Sequence, residues 1–240
     1  MTWLLRISFS LLLLWPAFGA SVSGRVSLSD SPVPAVSKRQ DYSGVVVWLE
    51  PARAAALPVA PAPAGRARVI QKDKLFIPHV TAIQVGTGVA FPNLDPIYHS
   101  AFSTFSGQIF DLGLYSPGTS RTVTFHHAGI VRVFCNIHPT MSAVIVVLKD
   151  PWFAVSDATG AFSIPNVPAG EYQMHVFHER ATQKILEALE RRITAGDRDL
   201  TIPPLTVSET GYVEAPHKNK YGQDYPPVPD DHAAYPAQRK

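Results

Sequence analysis

Cysteine is almost absent from this chain: its 240 residues contain one, Cys135. A single cysteine permits no internal disulfide, so packing and not covalent stapling must hold the fold. Neither sign of charge dominates, since 21 Lys and Arg against 19 Asp and Glu leave +2. That balance removes the electrostatic case for nucleic acid or an anionic membrane as partner. Long apolar runs are lacking too. A mostly apolar stretch from Ile7 to Trp15 follows Arg6 and leads into Pro16-Ala17-Phe18-Gly19-Ala20. About 14 mostly apolar residues fall short of the ~20 a spanning helix needs. A short apolar core before small residues matches an export leader. Residues 1–20 are therefore expected to be a signal peptide, cleaved after Gly19 or Ala20. The mature chain is expected to have no membrane span and a periplasmic or otherwise exported location. Nothing in the sequence speaks to oligomeric state.

What is present is β-forming material. Proline is abundant at 22 residues and 46% of the chain is hydrophobic, enough for one large or two small domains. Strand-like pieces are Val22 to Leu28, Gly44 to Leu49, Val69-Ile70, Phe76-Ile77, Thr81 to Val85, Gly88 to Phe91, Thr122 to Phe125, Val131 to Phe134 and Ala143 to Leu148. Gly86, Pro92-Asn93, Pro117-Gly118 and Ala128-Gly129 separate the later ones. Short strands at this spacing predict an all-β chain of sandwiches or barrels. Residues 51–65 carry Pro51, Pro58, Pro61 and Pro63 among alanines and read as an extended linker. A hairpin is expected around Asp157-Ala158-Thr159-Gly160, then a period-2 strand at Tyr172 to Phe177. A short helix over Ala181 to Leu189 follows, and a last hairpin pairs Arg192-Ile193-Thr194 with Leu200 to Val207. The tail from about Glu209 has no apolar period and is expected to be disordered or draped over the surface.

The chemistry sits at Cys135-Asn136-Ile137-His138-Pro139-Thr140-Met141, a Cys-x-x-His-x-x-Met run, with His99 upstream. One thiolate, two imidazoles and a thioether are what a trigonal copper site with a weak axial Met requires. Soft sulfur suits Cu(I), imidazole tolerates Cu(II), and one compromise geometry serves both. A metal ligand would also explain an odd cysteine in an exported chain. A two-copper centre needs two Cys and is excluded. His79, His126, His127, His175, His178, His217 and His232 lack such context and are read as surface or structural residues.

These residues resemble the cupredoxins, the small blue copper proteins, over about Arg68 to Lys149. Phe91-Pro92-Asn93-Leu94-Asp95 followed by His99 is similar to the family's first-ligand region, and Ala128 to Met141 to its ligand loop. The gap of two residues between His138 and Met141 is similar to that of amicyanin. The resemblance implies a Greek-key cupredoxin sandwich, one copper per chain, His99 buried, His138 facing solvent, Cys135 carrying the electron and Met141 as axial ligand. Phe102, Phe105, Leu112 and Leu114 are candidates for an apolar docking rim. Many members place Asn directly after the first His; here Ser100 stands there, which leaves its backbone N–H as support for the thiolate.

A second resemblance covers Val155 to Tyr172, similar to carboxypeptidase regulatory-like (transthyretin-like) β-sandwiches. Their front half would be Gly24-Arg25-Val26 and Val45 to Leu49. The expected organisation is a discontinuous small sandwich, 21–52 and 150–208, with the cupredoxin, 66–149, inserted at a loop, and a Pro/Tyr-rich tail, 209–240. Loop insertion costs little closure entropy. The expected function is an exported one-electron carrier with a redox partner protein, not an enzyme. The alternative is a copper storage, sensing or delivery protein, and a third reading is an adhesion module with a vestigial site.

Overall fold

The computed structural model describes residues 19–53, 66–104, 107–213 and 216–226. The expected leader, apart from Gly19 and Ala20, lies outside the described residues, as do most of the linker, Phe105 and the end of the tail. The described chain is all-β, with two short helices.

The first and last thirds share one core. Strand β1 (Ala20–Ser29) pairs antiparallel with β14 (Ala161–Val167) and parallel with β17 (Leu200–Thr201) and β18 (Leu205–Ser208). Opposite it lies a sheet in the order β13 (Phe153–Val155), β2 (Val46–Pro51), β15 (Gly170–Phe177), β16 (Arg191–Ala195). Side chains alternate across a strand, so β15 sends Tyr172, Met174 and Val176 inward and keeps Glu171 and Gln173 out. They meet Val22, Val26, Leu28, Val47 and Leu49 from the N-terminal strands. The Asp157 turn docks against this core. Its carboxylate accepts the N–H groups of Thr159 and Ala161 at 2.8 and 3.0 Å. Gly160 has φ +80°, and a Cβ there would sit 2.0 Å from the Val26 carbonyl oxygen, so only glycine fits. Helix α1 (Pro34–Ser37) lies in the β1–β2 connection, and helix α2 (Gln183–Leu189) covers this sandwich through Leu186.

The middle third builds a second core. A sheet in the order β6 (Val80–Gln84), β12 (Ser142–Leu148), β11 (Gly129–Phe134), β8 (His99–Ser103), β9 (Phe110–Tyr115) faces a smaller one of β10 (Ser120–Thr124), β7 (Gly88–Pro92) and β3 (Arg66–Arg68). The hairpin of β4 (Ile70–Lys72) and β5 (Leu75–Ile77) closes one end. Phe91 and Phe125 are fully buried between the sheets, each worth about 1.5–3 kcal/mol of apolar transfer. Strand β12 is apolar on both faces for a reason. Ala143, Ile145 and Val147 enter this core. Val144, Val146 and Leu148 enter a separate cluster with Val46 and Val80, packed by Trp48 and Phe153, which joins the two sandwiches.

One sequence expectation is corrected. Leu200 to Val207 does not form a hairpin with Arg192 to Thr194: β16 pairs with β15, whereas β17 and β18 cross to β1. Parallel pairing over some 178 residues leaves no local turn signal. The tail is also more than a loose end. Glu209 is buried and paired with His178 and Arg180, and residues 216–226 lie against the Cys135 loop.

Candidate metal centre

Strand β8, which sequence periodicity does not reveal, begins at His99. Its five residues are all buried, Phe102 among them at 1% exposure. Phe102 is thus a core residue and not part of an apolar rim. Leu112 is half-buried against the core between the two sheets, while Leu114 is exposed. Neighbouring β11 ends at Phe134, opposite Phe102, and delivers Cys135 immediately after it. The Cys135–Met141 segment turns the chain from β11 into β12. It is closed by Cys135 N–H to the Met141 carbonyl and Met141 N–H to the His138 carbonyl, both 3.1 Å.

His99, Cys135 and His138 come together, their ligand atoms all within 4.8 Å of one another. Cys135 Sγ lies 3.8 Å from His99 Nδ1 and 3.6 Å from His138 Nδ1. The two imidazole centroids are 4.8 Å apart, edge to face. His99, Cys135 and Met141 are fully buried and His138 is half-buried. Met141 belongs to the same core cluster as Cys135. Among the described residues this is the one group of three or more such side chains able to hold a metal ion.

A set of supports holds these side chains. His99 Nε2–H donates to Asp95 Oδ2 at 2.7 Å, which presents Nδ1 to the cluster, as a carboxylate behind a metal-ligating histidine does. Asp95 is itself 3% exposed and also accepts the N–H groups of Asp73 and Lys74 at 2.6 and 2.9 Å. Burial works against its charge, but these N–H donors and His99 keep Asp95 below the usual carboxylate range. Asn93 shapes the loop before His99: its Oδ1 accepts Asp95 N–H at 3.0 Å and its Nδ2 donates to Ile97 O at 2.8 Å. Ser100 ties the loop to the strand. Its hydroxyl accepts Asn136 N–H at 2.7 Å and lies 3.8 Å from Cys135 Sγ.

Electrostatics favour the thiolate. Burial opposes ionisation of Cys135, but the imidazoles of His138 and His99 and the N–H groups of Ile137 and Ser100 outweigh it and bring the thiol down to about 5. Burial likewise opposes charge on His99, yet Cys135 and Asp95 hold that imidazole above its ordinary value. A low-pKa thiolate with convergent imidazoles is a ligand set ready for a soft or borderline metal.

The other described histidines have protein partners or stand at the surface. His79 faces Glu179, His175 stacks on Trp48 and faces Glu190, and His178 faces Glu209. His126 and His127 are exposed, and His232 lies outside the described residues. Sequence reasoning missed the carboxylate of Asp95, although its i, i+4 spacing to His99 was there to be read. It also missed the Ser100 hydroxyl and the tail contacts of His217, Lys220 and Tyr225.

No family model matches the chain, and no curated protein matches it. Among solved structures it is similar to a purple cupredoxin from Nitrosopumilus maritimus, with 22% identity over 34% of this chain and 99% of that one, TM-score 0.31. A reduced amicyanin variant shares 19% identity over 38% of this chain and 97% of its own, TM-score 0.33. A copper-containing nitrite reductase from Thermus scotoductus SA-01 shares 24% over 52% of this chain and 28% of its own, TM-score 0.34.

Proposed function

We propose that this chain is an exported, mononuclear copper protein of the cupredoxin kind that carries one electron. The observation that carries the reading is the convergence of two imidazole Nδ1 atoms on one ionisable thiol, all three within 4.8 Å. The donor set fits copper: two borderline nitrogens and one soft sulfur would hold the ion, and the thioether of buried Met141 would add a weak fourth donor. A copper ion bound there supplies one-electron exchange between Cu(I) and Cu(II). The residues do the rest. Strands β8, β11 and β12 fix three of the four side chains in a core, so little rearrangement accompanies a change of oxidation state. Asp95 orients His99. Ser100 and Ile137 donate hydrogen bonds toward the Cys135 sulfur. Half-buried His138 is the side of the site nearest water and the natural port for the electron. Its chain neighbour Ile137 is an exposed apolar side chain, suited to brief docking with a redox partner.

The two-part sandwich of 21–52 and 150–208 is proposed as a carboxypeptidase regulatory-like domain, with 66–149 as its insertion and the leader removed on export. Metal analysis tests the central reading. One copper per chain is expected, with loss of stoichiometric binding in Cys135→Ser. A chain that takes up no copper overturns it.

A further inference from the structure

The tail segment 216–226 is built around Asn219. Asn219 Oδ1 accepts the N–H groups of Tyr221 and Gln223 at 2.9 and 3.1 Å. Its own N–H donates to the Gln223 carbonyl at 2.9 Å. This tight turn, with Gly222 at φ +76°, reverses the chain and brings two residues eight apart together. Tyr225 Oη lies 3.2 Å from His217 Nδ1, and the two rings meet edge to face at 5.2 Å. Both residues then turn on the metal-ligand loop. Tyr225 donates its hydroxyl to the Cys135 carbonyl at 2.8 Å. His217 Nε2 donates to the Pro139 carbonyl at 2.7 Å, and its ring stacks on Phe134 at 4.0 Å and 26°. Between them Lys220 N–H donates to Asn136 Oδ1 at 3.0 Å, and its ammonium pairs with Asp111 of β9 at 2.7 Å.

We propose that residues 216–226 are a clamp on the metal-ligand loop, with Tyr225 and His217 as its positioning residues. The targets support this. A casual drape touches what lies on top, whereas these contacts take the carbonyls at positions 135 and 139 and the side chain at 136. Those three points span the loop that carries Cys135 and His138. The sandwich fixes that loop at its two ends, and the clamp fixes it from outside between them. The segment is anchored to β9 by the Lys220–Asp111 pair, so the loop is tied to the strand next to His99. The clamp is a statement about the loop, and only its consequence for the metal rests on the copper reading.

Two measurements separate those layers. In the metal-free protein, alkylation of Cys135 by iodoacetamide reports loop opening. Loss of one hydrogen bond is expected to speed it about fivefold in Tyr225→Phe, and ending the chain at Val213 on the order of tenfold or more. Tyr172→Phe is the matched control. It deletes the same kind of bond, to the Pro168 carbonyl at 2.8 Å, in the other sandwich, and should leave the rate within twofold of wild type. In the copper-loaded protein, the positive end of the Tyr225 O–H dipole points at the carbonyl of a ligand and disfavours Cu(II). Tyr225→Phe should therefore lower the reduction potential while Tyr172→Phe leaves it unchanged. Alkylation rates alike in wild type, Tyr225→Phe and the shortened chain would overturn the clamp, whatever the copper result. A wild type that binds no copper would overturn the metal reading, and the alkylation rates would still decide the clamp.

Discussion

Asp95→Asn is the perturbation that reaches furthest into the site. Asp95 is 3% exposed and receives His99 Nε2–H at 2.7 Å. Asparagine keeps the shape and one acceptor but removes the negative charge. A metal bound at Nδ1, across the ring from that charge, would be on the order of 6 Å away, the separation that sets the Coulomb energy. Coulomb's law at an effective dielectric of about 20 then gives ~2–3 kcal/mol for a full charge. The carboxylate shares its charge among three N–H donors, so about half of this is a fair expectation. Roughly 1–1.5 kcal/mol corresponds to a potential change of ~40–65 mV for one electron. The sign is upward, since the anion favours the oxidised, more positive metal. A second effect follows from the hydrogen bonds. If the amide oxygen faces His99 and Lys74, its NH2 group faces the Asp73 N–H, two donors with no acceptor between them. That should cost about 1–3 kcal/mol of stability. The assay is voltammetry of the copper-loaded variant beside a thermal melt. An unchanged or lower potential, with the optical spectrum intact, would refute the carboxylate's role.

Met141→Gln should keep copper bound but lower the potential, because a harder oxygen favours Cu(II); voltammetry showing no change would remove Met141 from the ligand set. The His79–Glu179 pair between the sandwiches, 2.7 Å apart, should make stability pH-dependent. Burial and Arg180 oppose charge on His79, but Glu179 holds it above its ordinary 6.5. Burial raises Glu179, but His79 and Arg180 hold it below its ordinary 4.5. The His contribution is complete below 6.5 and lost as pH rises through its raised value; the Glu contribution is complete above 4.5 and lost on acidification. His79→Gln should therefore lower Tm near pH 5.5 by about 1–2 °C, for a half-exposed pair worth roughly 0.5 kcal/mol, and by less at pH 9. Calorimetry giving the same difference at both pH values would contradict this. Finally, joining residue 52 to residue 150 by a short Gly/Ser linker should leave a folded sandwich without copper, while 66–149 folds and binds copper alone. The cut bares Val144, Val146 and Leu148, so both pieces should be less soluble. Circular dichroism showing the joined chain unfolded and 21–149 well folded would reassign the N-terminal strands.

What the sequence made legible was local chemistry and alternation. The Cys-x-x-His-x-x-Met run marks out the loop because ligand spacing survives as text, and β1 and β15 announce themselves by apolar residues at every second position. Strands β8 and β9 stayed hidden because β8, buried throughout, mixes Ser with Phe and Ala and so carries no alternation. The β17 and β18 pairings were unreadable because a parallel partner more than 170 residues away imposes no local pattern. Asp95 offered only its i, i+4 spacing to His99, and in a loop that spacing acquires meaning only from the His99 ring facing it. Tyr225 and His217 lie in a segment whose polar composition reads as disorder, and only the Asn219 turn shows that they act together.

The account stands most directly on a redox titration of the purified, copper-loaded protein followed optically. It predicts an intense visible band from Cys135 thiolate to Cu(II) that disappears with one electron per chain and returns on reoxidation. Copper held only as Cu(I), with no such band on oxidation, would contradict it and leave a storage or delivery protein in its place.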